Sequence, residues 1–134
     1  MITAKEIRKQ LRPFFGRWNM RPVIILTDPK YDEITPDDLR SEIIDIPPKE
    51  KCDCDDHARK LESHIRDKHP QWPVGRCCLT RVAGIKTDHT MIAASTTDGI
   101  YLIEPQAVWD IGLKGMQKIW KADVRDDKFL VTFI

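Results

Sequence analysis

The sequence predicts an α+β domain with helices packed on one side of an antiparallel sheet. Three observations support this: helical apolar spacing in two early segments, a switch to strand periodicity near Arg76, and short turn signals between the later apolar runs. No repeat, low-complexity tract or Gly/Ser-rich linker divides the chain, so residues 1–134 are expected to form a single domain.

Thr3-Ala4-Lys5-Glu6 has capping-box spacing, and Ile7, Leu11, Phe14 and Phe15 recur at helical intervals, which predicts a first helix over roughly 4–15, loosened by Pro13. Its other face carries Lys5, Arg8, Lys9 and Arg12, a stripe expected to be solvated. Pro22 to Thr27 reads as a buried strand. Thr35-Pro36-Asp37-Asp38 opens a short helix by an N-cap followed by proline at the first helical position. Ile43 to Ile46 is a further strand candidate, and Pro47-Pro48 extends the chain into a second main helix starting at Cys54 and running to about Lys68.

Three strand-like runs come next, Cys77 to Val82, His89 to Ser95 and Ile100 to Glu104, punctuated by Gly84 and by Thr97-Asp98-Gly99. Met116 to Ile134 reads as a last hairpin turning at Arg125 to Lys128, and residues 107–115 have no assignment.

Composition excludes several classes of function. Lys plus Arg total 22 against 21 Asp plus Glu, a formal charge of +1, so no global field argues for nucleic acid or an anionic membrane. With 41% apolar and 32% charged residues, the chain is neither disordered nor membrane-embedded. No apolar run approaches the roughly 20 residues of a spanning helix, and the first residues lack the apolar stretch of a signal peptide. The expectation is a cytoplasmic protein in which Cys52, Cys54, Cys77 and Cys78 stay reduced.

At about 100° per residue, Cys54, Ala58, Leu61 and Ile65 share one stripe of the second helix. Cys54 therefore points inward in the first turn, where unpaired N–H groups and the helix dipole favour a thiolate. On periodicity alone it also reads as a small buried hydrophobe. A nucleophilic cysteine needs a base and the base an orienter, and His89 begins one strand while Glu104 ends the next. Zinc is a rival use of Cys52, Cys54, His57, Cys77 and Cys78, but Cys52-Asp53-Cys54 lacks knuckle spacing and adjacent strand cysteines point apart. His64 and His69 read as surface residues and the four tryptophans as core or edge anchors.

Cys54-Asp55-Asp56-His57-Ala58, then His89, then Tyr101-Leu102-Ile103-Glu104-Pro105-Gln106 resembles the transglutaminase-like superfamily, in particular its small bacterial and phage members that are similar to cysteine proteinases. The match spans roughly residues 50–106. It implies a papain-like core, with Cys54 as nucleophile, His89 as base and then acid, and Glu104, where the family usually has Asp, as orienter of the imidazole. It implies a small cysteine hydrolase of amide or isopeptide bonds, without cofactor or metal, acting on a peptide or protein. The alternative is a scaffold of the same fold that binds a protein, peptide or glycan without turnover.

A working triad requires the Cys54 sulfur within about 4 Å of a ring nitrogen of His89. The Cys54 N–H is one expected oxyanion donor, and Trp72 is the candidate for the second. Residues 28–56 carry eleven acidic side chains against Lys30, Arg40, Lys49 and Lys51, so a negative approach favouring cationic or neutral peptides is expected. A two-residue Asp98-Gly99 turn would set Glu104 opposite Ala93, about 13 Å along the strand from His89, and a triad would need a different turn.

Overall fold

A computed structural model describes residues 1–16, 23–44, 54–106 and 118–134. Helix α1 (Ala4–Leu11) begins as its capping box dictates: the Thr3 hydroxyl accepts from the Glu6 N–H, and the Glu6 carboxylate accepts from the Thr3 N–H. At Pro13 the helix tightens into a 3-10 turn over Arg12–Phe14. Phe14 and Phe15 then close on Phe129, with ring centroids 5.1 and 6.0 Å apart. Helix α2 (Pro36–Glu42) has a second capping box, formed by Thr35 and Asp38. Helix α3 (Cys54–Lys68) buries Ala58, Leu61 and Ile65 completely, and each of the two larger side chains contributes about 1.5–3 kcal/mol.

Strands β1 (Ile2–Thr3) and β3 (Lys30–Tyr31) pair as a small ladder beside α1. The main sheet has six strands, β2 (Val23–Ile25), β4 (Val74–Val82), β5 (Ile85–Thr96), β6 (Gly99–Ile103), β7 (Ile119–Lys121) and β8 (Lys128–Phe133), in the order β2-β8-β4-β5-β6-β7. The α+β class holds, but the sheet is mixed where an antiparallel one is expected, because β2 and β8 run parallel. About a hundred residues separate these two strands, so no tight turn dictates their sense.

The helices also do not share one side. Leu102, Met91 and Ala93 join Ile7 and Leu11 of α1 in one cluster, whereas Ile92, Ala94, Tyr101 and Ile103 join Ala58, Leu61 and Ile65 of α3 in another. Alternate residues of β5 and β6 thus feed two cores. Because every residue from His89 to Thr96 is buried, both faces of that strand need a cover.

Three local expectations also change. The run around Val23 is an edge strand in which only Ile24 is buried. The last segment does turn between Asp123 and Asp127, but β7 joins β6 and β8 lies between β2 and β4, so three strands separate them and they form no hairpin. Buried Asp127 holds that crossing, its two carboxylate oxygens accepting from the N–H groups of Ala83 (2.8 Å) and Asp123 (2.9 Å). Of the strand expected at 43–46, Ile43 caps α2 and Ile44 is outside any strand, while 45–46 fall outside the described residues.

The β5–β6 turn decides which residues of the site can meet. Thr97-Asp98, not Asp98-Gly99, occupies its centre, and Thr96 pairs with Gly99. Thr96 Oγ1 accepts from the Asp98 N–H (3.0 Å) and donates to the Gly99 carbonyl (2.8 Å), while Gly99 takes φ +104°, the left-handed residue that closes such a turn. The register shifts by two residues relative to the expected one.

Candidate functional site

In this register Ile92 pairs with Ile103, and the next pair sets Glu104 opposite Met91. Glu104 and His89 then lie on the same face as diagonal neighbours, roughly 7–8 Å apart at the backbone, within reach of two long side chains. They meet: His89 Nε2–H donates to Glu104 Oε2 at 2.7 Å, with both side chains buried. The second oxygen of the acid is held as well. Glu104 Oε1 accepts from the Gln106 N–H at 2.9 Å, across Pro105, and the Gln106 carbonyl accepts from Lys118 Nζ at 2.7 Å. The Glu104 N–H continues the β6–β7 ladder to the Lys118 carbonyl. The acid is therefore fixed at its backbone and at both oxygens, and it fixes one nitrogen of the imidazole in turn.

Alternation also says which face the pair occupies. His89 stands opposite Leu79 and two residues before Met91, and Glu104 stands two residues after Leu102. Leu79, Met91 and Leu102 all belong to the cluster shared with α1, so His89 and Glu104 lie on the α1 face of the sheet.

Cys54 is the first residue of α3, with a free, half-buried thiol. That helix lies over β4 and β5 on the other face, and its first turn is tied down there. Arg76 Nε donates to Glu62 at 2.8 Å, and its guanidinium stands 3.7 Å from Asp55. Asp55 and Asp56, which would set negative charge beside the sulfur, are both engaged by Arg59, at 3.7 and 2.8 Å. The expected triad is therefore brought together only in part. His89 and Glu104 meet, while Cys54 belongs to the α3 side, because the stripe that buries Ala58, Leu61 and Ile65 packs against Ile92, Ala94 and Ile103.

The other candidates are dispersed. Trp72 stacks on His69 at 3.7 Å beyond the C-terminal end of α3, which is about 20 Å long, so it cannot donate to an oxyanion at Cys54. His69 and His64 are not simple surface residues. His69 meets the Glu42 carboxylate at 3.0 Å and His64 approaches it at 3.9 Å, and the His69 hydrogen bond, with Lys68 assisting, holds Glu42 below the usual carboxylate range. Cys77 lies in the α1-side core, where burial pushes its thiol well above the ordinary range, while Cys78 contacts Thr90 at 3.8 Å. Alternation thus points the two cysteines to opposite faces. His57 is buried on α3, and Cys52 falls outside the described residues. Among the described residues no three His, Cys, Asp or Glu side chains converge as a metal site would require, and no helix is long and apolar enough to cross a membrane.

A groove of about 530 Å³ opens where α1 meets the end of β5, lined by Ile2, Glu6, Lys9, Glu33, Ile34 and Thr97 among others. The backbone and side-chain hydrogen bonds from Thr3 hold the Glu6 carboxyl below its usual range, so it is an anion at neutral pH. This groove and the contributions of Gln106, Arg59 and Arg76 were missed by sequence reasoning. Arg59 was legible, since it stands three and four residues after the two aspartates. Arg76 was not, because its role depends on how α3 crosses β4. No protein-family model, no curated protein and no solved structure matches this chain.

Proposed function

We propose that the protein is a scaffold of transglutaminase-like type that binds a peptide or protein without turnover. The observation that carries this reading is that Cys54 belongs to a helix whose buried stripe packs in the α3-side cluster, whereas the His89–Glu104 pair alternates with residues of the α1-side cluster. An imidazole on the α1 face of the sheet points away from the face that α3 covers, and α3 carries the thiol whose proton it would have to take, which supports a pair without a catalytic role. In this reading the pair is structural: the imidazole and the Gln106 N–H together satisfy a buried carboxylate that would otherwise be costly.

The groove between α1 and the end of β5 is the proposed cleft. Glu6 and Glu33 line it against the single Lys9, which supports cationic or neutral peptides as ligands. The preference weakens as salt rises. Acidic peptides binding as well as basic ones at low ionic strength would overturn the charge assignment.

One specific observation favours a second reading, a small cysteine hydrolase of amide or isopeptide bonds: a buried 2.7 Å His–Glu hydrogen bond with the acid locked at its other oxygen is what an oriented base requires. In that reading His89 Nδ1 takes the Cys54 proton as the sulfur attacks the carbonyl carbon, and the imidazolium returns it to the leaving amine as a thioester forms. Water, deprotonated by the same nitrogen, then releases the acid and regenerates the thiol. A thiol-reactive activity probe separates the two readings. The scaffold gives slow labelling of Cys54 at the rate of an ordinary thiol, unchanged in His89→Ala. Stoichiometric, fast labelling that disappears in Cys54→Ser, survives Cys52→Ser and slows in His89→Ala overturns it.

A further inference from the structure

The polar groups of the groove between α1 and the end of β5 divide between its two ends. Where the β1–β3 ladder meets α1, the groove is lined by Ile2, Glu6 and Glu33. Glu6 gives one carboxylate oxygen to the Thr3 N–H and remains an anion, and the Glu33 carboxylate has neither ion pair nor hydrogen bond among the described residues. About one turn further along α1, a rise of roughly 5–6 Å, Lys9 and Gln10 line the other end. Lys9 stands three residues after Glu6, at the spacing of a helical ion pair, yet among the described residues no acid engages its ammonium. The Gln10 amide is set from below. Its Oε1 accepts from the hydroxyl of Ser95, which is buried in the floor, and its NH2 group remains to donate into the groove.

We propose that this groove takes the C-terminal lysine or arginine of a peptide. The proposal rests on the reading of the groove as the cleft for cationic ligands, and it adds which part of the ligand is held. The side-chain cation lies between Glu6 and Glu33 with its aliphatic stem on Ile2 and Ile34, the α-carboxylate pairs with Lys9, and the Gln10 amide donates to the carbonyl of the preceding residue. Three features select that ligand. An extended lysine spans roughly 6 Å from its α-carbon to its ammonium, the same distance as the rise between the acidic and the basic end. A basic residue inside a chain would bring Lys9 no anion, and a purely anionic ligand would leave both glutamates unmatched, so the lining favours a ligand with both charges. A volume of about 530 Å³ is of small-molecule size and suits a chain end better than a folded segment. Glu6, Lys9 and Glu33 are exposed, and exposed ion pairs are weak, so the dissociation constant is on the order of 100 μM and rises with salt.

Isothermal titration calorimetry of the full chain with short peptides tests this. The probes are a peptide of four alanines ending in lysine with a free carboxylate, its C-terminal amide, the same composition with lysine at the centre, and a version ending in norleucine. The free acid is expected to bind about fivefold tighter than the amide or the central-lysine peptide, and the norleucine peptide to bind weakest. Lys9→Gln removes the preference for the free acid over the amide, and Glu33→Gln weakens both. These two positions are exposed, and thermal melting verifies that each variant is folded. Free acid and amide binding equally, with both ahead of norleucine, overturns the proposal and leaves the cationic reading of the cleft standing. No lysine peptide binding ahead of norleucine overturns both. Free lysine binding as tightly as the peptide overturns the role given to Gln10 and to a peptide ligand.

Discussion

Two substitutions at Glu104 separate the length of its side chain from its charge. Glu104→Gln keeps the length but offers one acceptor oxygen to two donors, His89 Nε2–H and the Gln106 N–H, which the carboxylate serves with separate oxygens. One of these hydrogen bonds is lost inside the protein, a loss of about 1.5–3 kcal/mol for a bond to a charged group. With an unfolding entropy of about 2.1 cal/mol/K per residue, a loss of ~2 kcal/mol lowers the melting temperature of a chain of this length by about 7 °C. Glu104→Asp keeps the charge and withdraws the oxygens by roughly one carbon–carbon bond. The 2.7 Å contact then opens to about 4 Å, beyond hydrogen-bonding distance. Differential scanning calorimetry reads the stability, and probe-labelling rates of Cys54 read any coupling to the thiol. Both variants are expected to melt several degrees below wild type and, with Cys54 on the other face, to label within about twofold of it. Glu104→Asp at wild-type stability would refute the diagonal pairing, because a shorter acid cannot bridge that offset. Labelling slowed ~100-fold in both variants would refute the structural role of the pair and favour the hydrolase.

Ala83 holds the left-handed conformation at φ +50° in the β4–β5 turn, so Ala83→Gly is expected to raise the unfolding free energy by about 0.5–1 kcal/mol, measured by urea titration. Cys77, with no exposed surface and a thiol pushed up by burial, is expected to resist thiol reagents in the native state at pH 8 and to react only on unfolding, as mass spectrometry of labelled peptides would show. Asp98 is held below the ordinary Asp range, first by the hydrogen bond from Tyr101 (2.7 Å) and then by Lys121. A depressed carboxylate contributes stability that is complete above its unfolded pKa and is lost as pH falls through the lower folded value. Tyr101→Phe should therefore flatten the fall in melting temperature between about pH 5 and pH 3, and an unchanged acid limb would refute the assignment.

Short-range chemistry is the part of this structure that the sequence made legible. Thr3-Glu6 and Thr35-Asp38 announce their helices because a hydroxyl and a carboxylate three residues apart satisfy each other's backbone donors. The buried stripe of α3 at Ala58, Leu61 and Ile65 arises from the 3.6-residue period. The sides that the helices take were not legible, since the Met91 to Ala94 stretch of β5 is apolar on both faces and such a stretch says nothing about which cover each face meets. For the same reason the sequence could pair Cys54 with His89 by type but not by face. Nor was the parallel β2–β8 pair legible, whose strands belong to the two ends of the chain. Asp127 looked like one more turn residue, yet it is buried because its carboxylate accepts from two turns at once.

The His89–Glu104 pair is legible in its residue types, and whether its members can meet comes down to one turn. An Asp-Gly pair is the strongest short hairpin signal, but here Thr96 competes by bonding both the Asp98 N–H and the Gly99 carbonyl, which moves the turn centre back one residue. Moving the centre by one residue moves opposed positions by two, so side chains keep their faces while their partners change. Glu104 passes from a place opposite Ala93 to one opposite Met91, and its distance from His89 along the strand falls from four residues to two. A diagonal offset of two residues is too long for a short acid and suits a glutamate. The extra methylene of Glu104 is then a consequence of the turn chemistry of Thr96-Thr97-Asp98-Gly99, and turn and acid have to be read together.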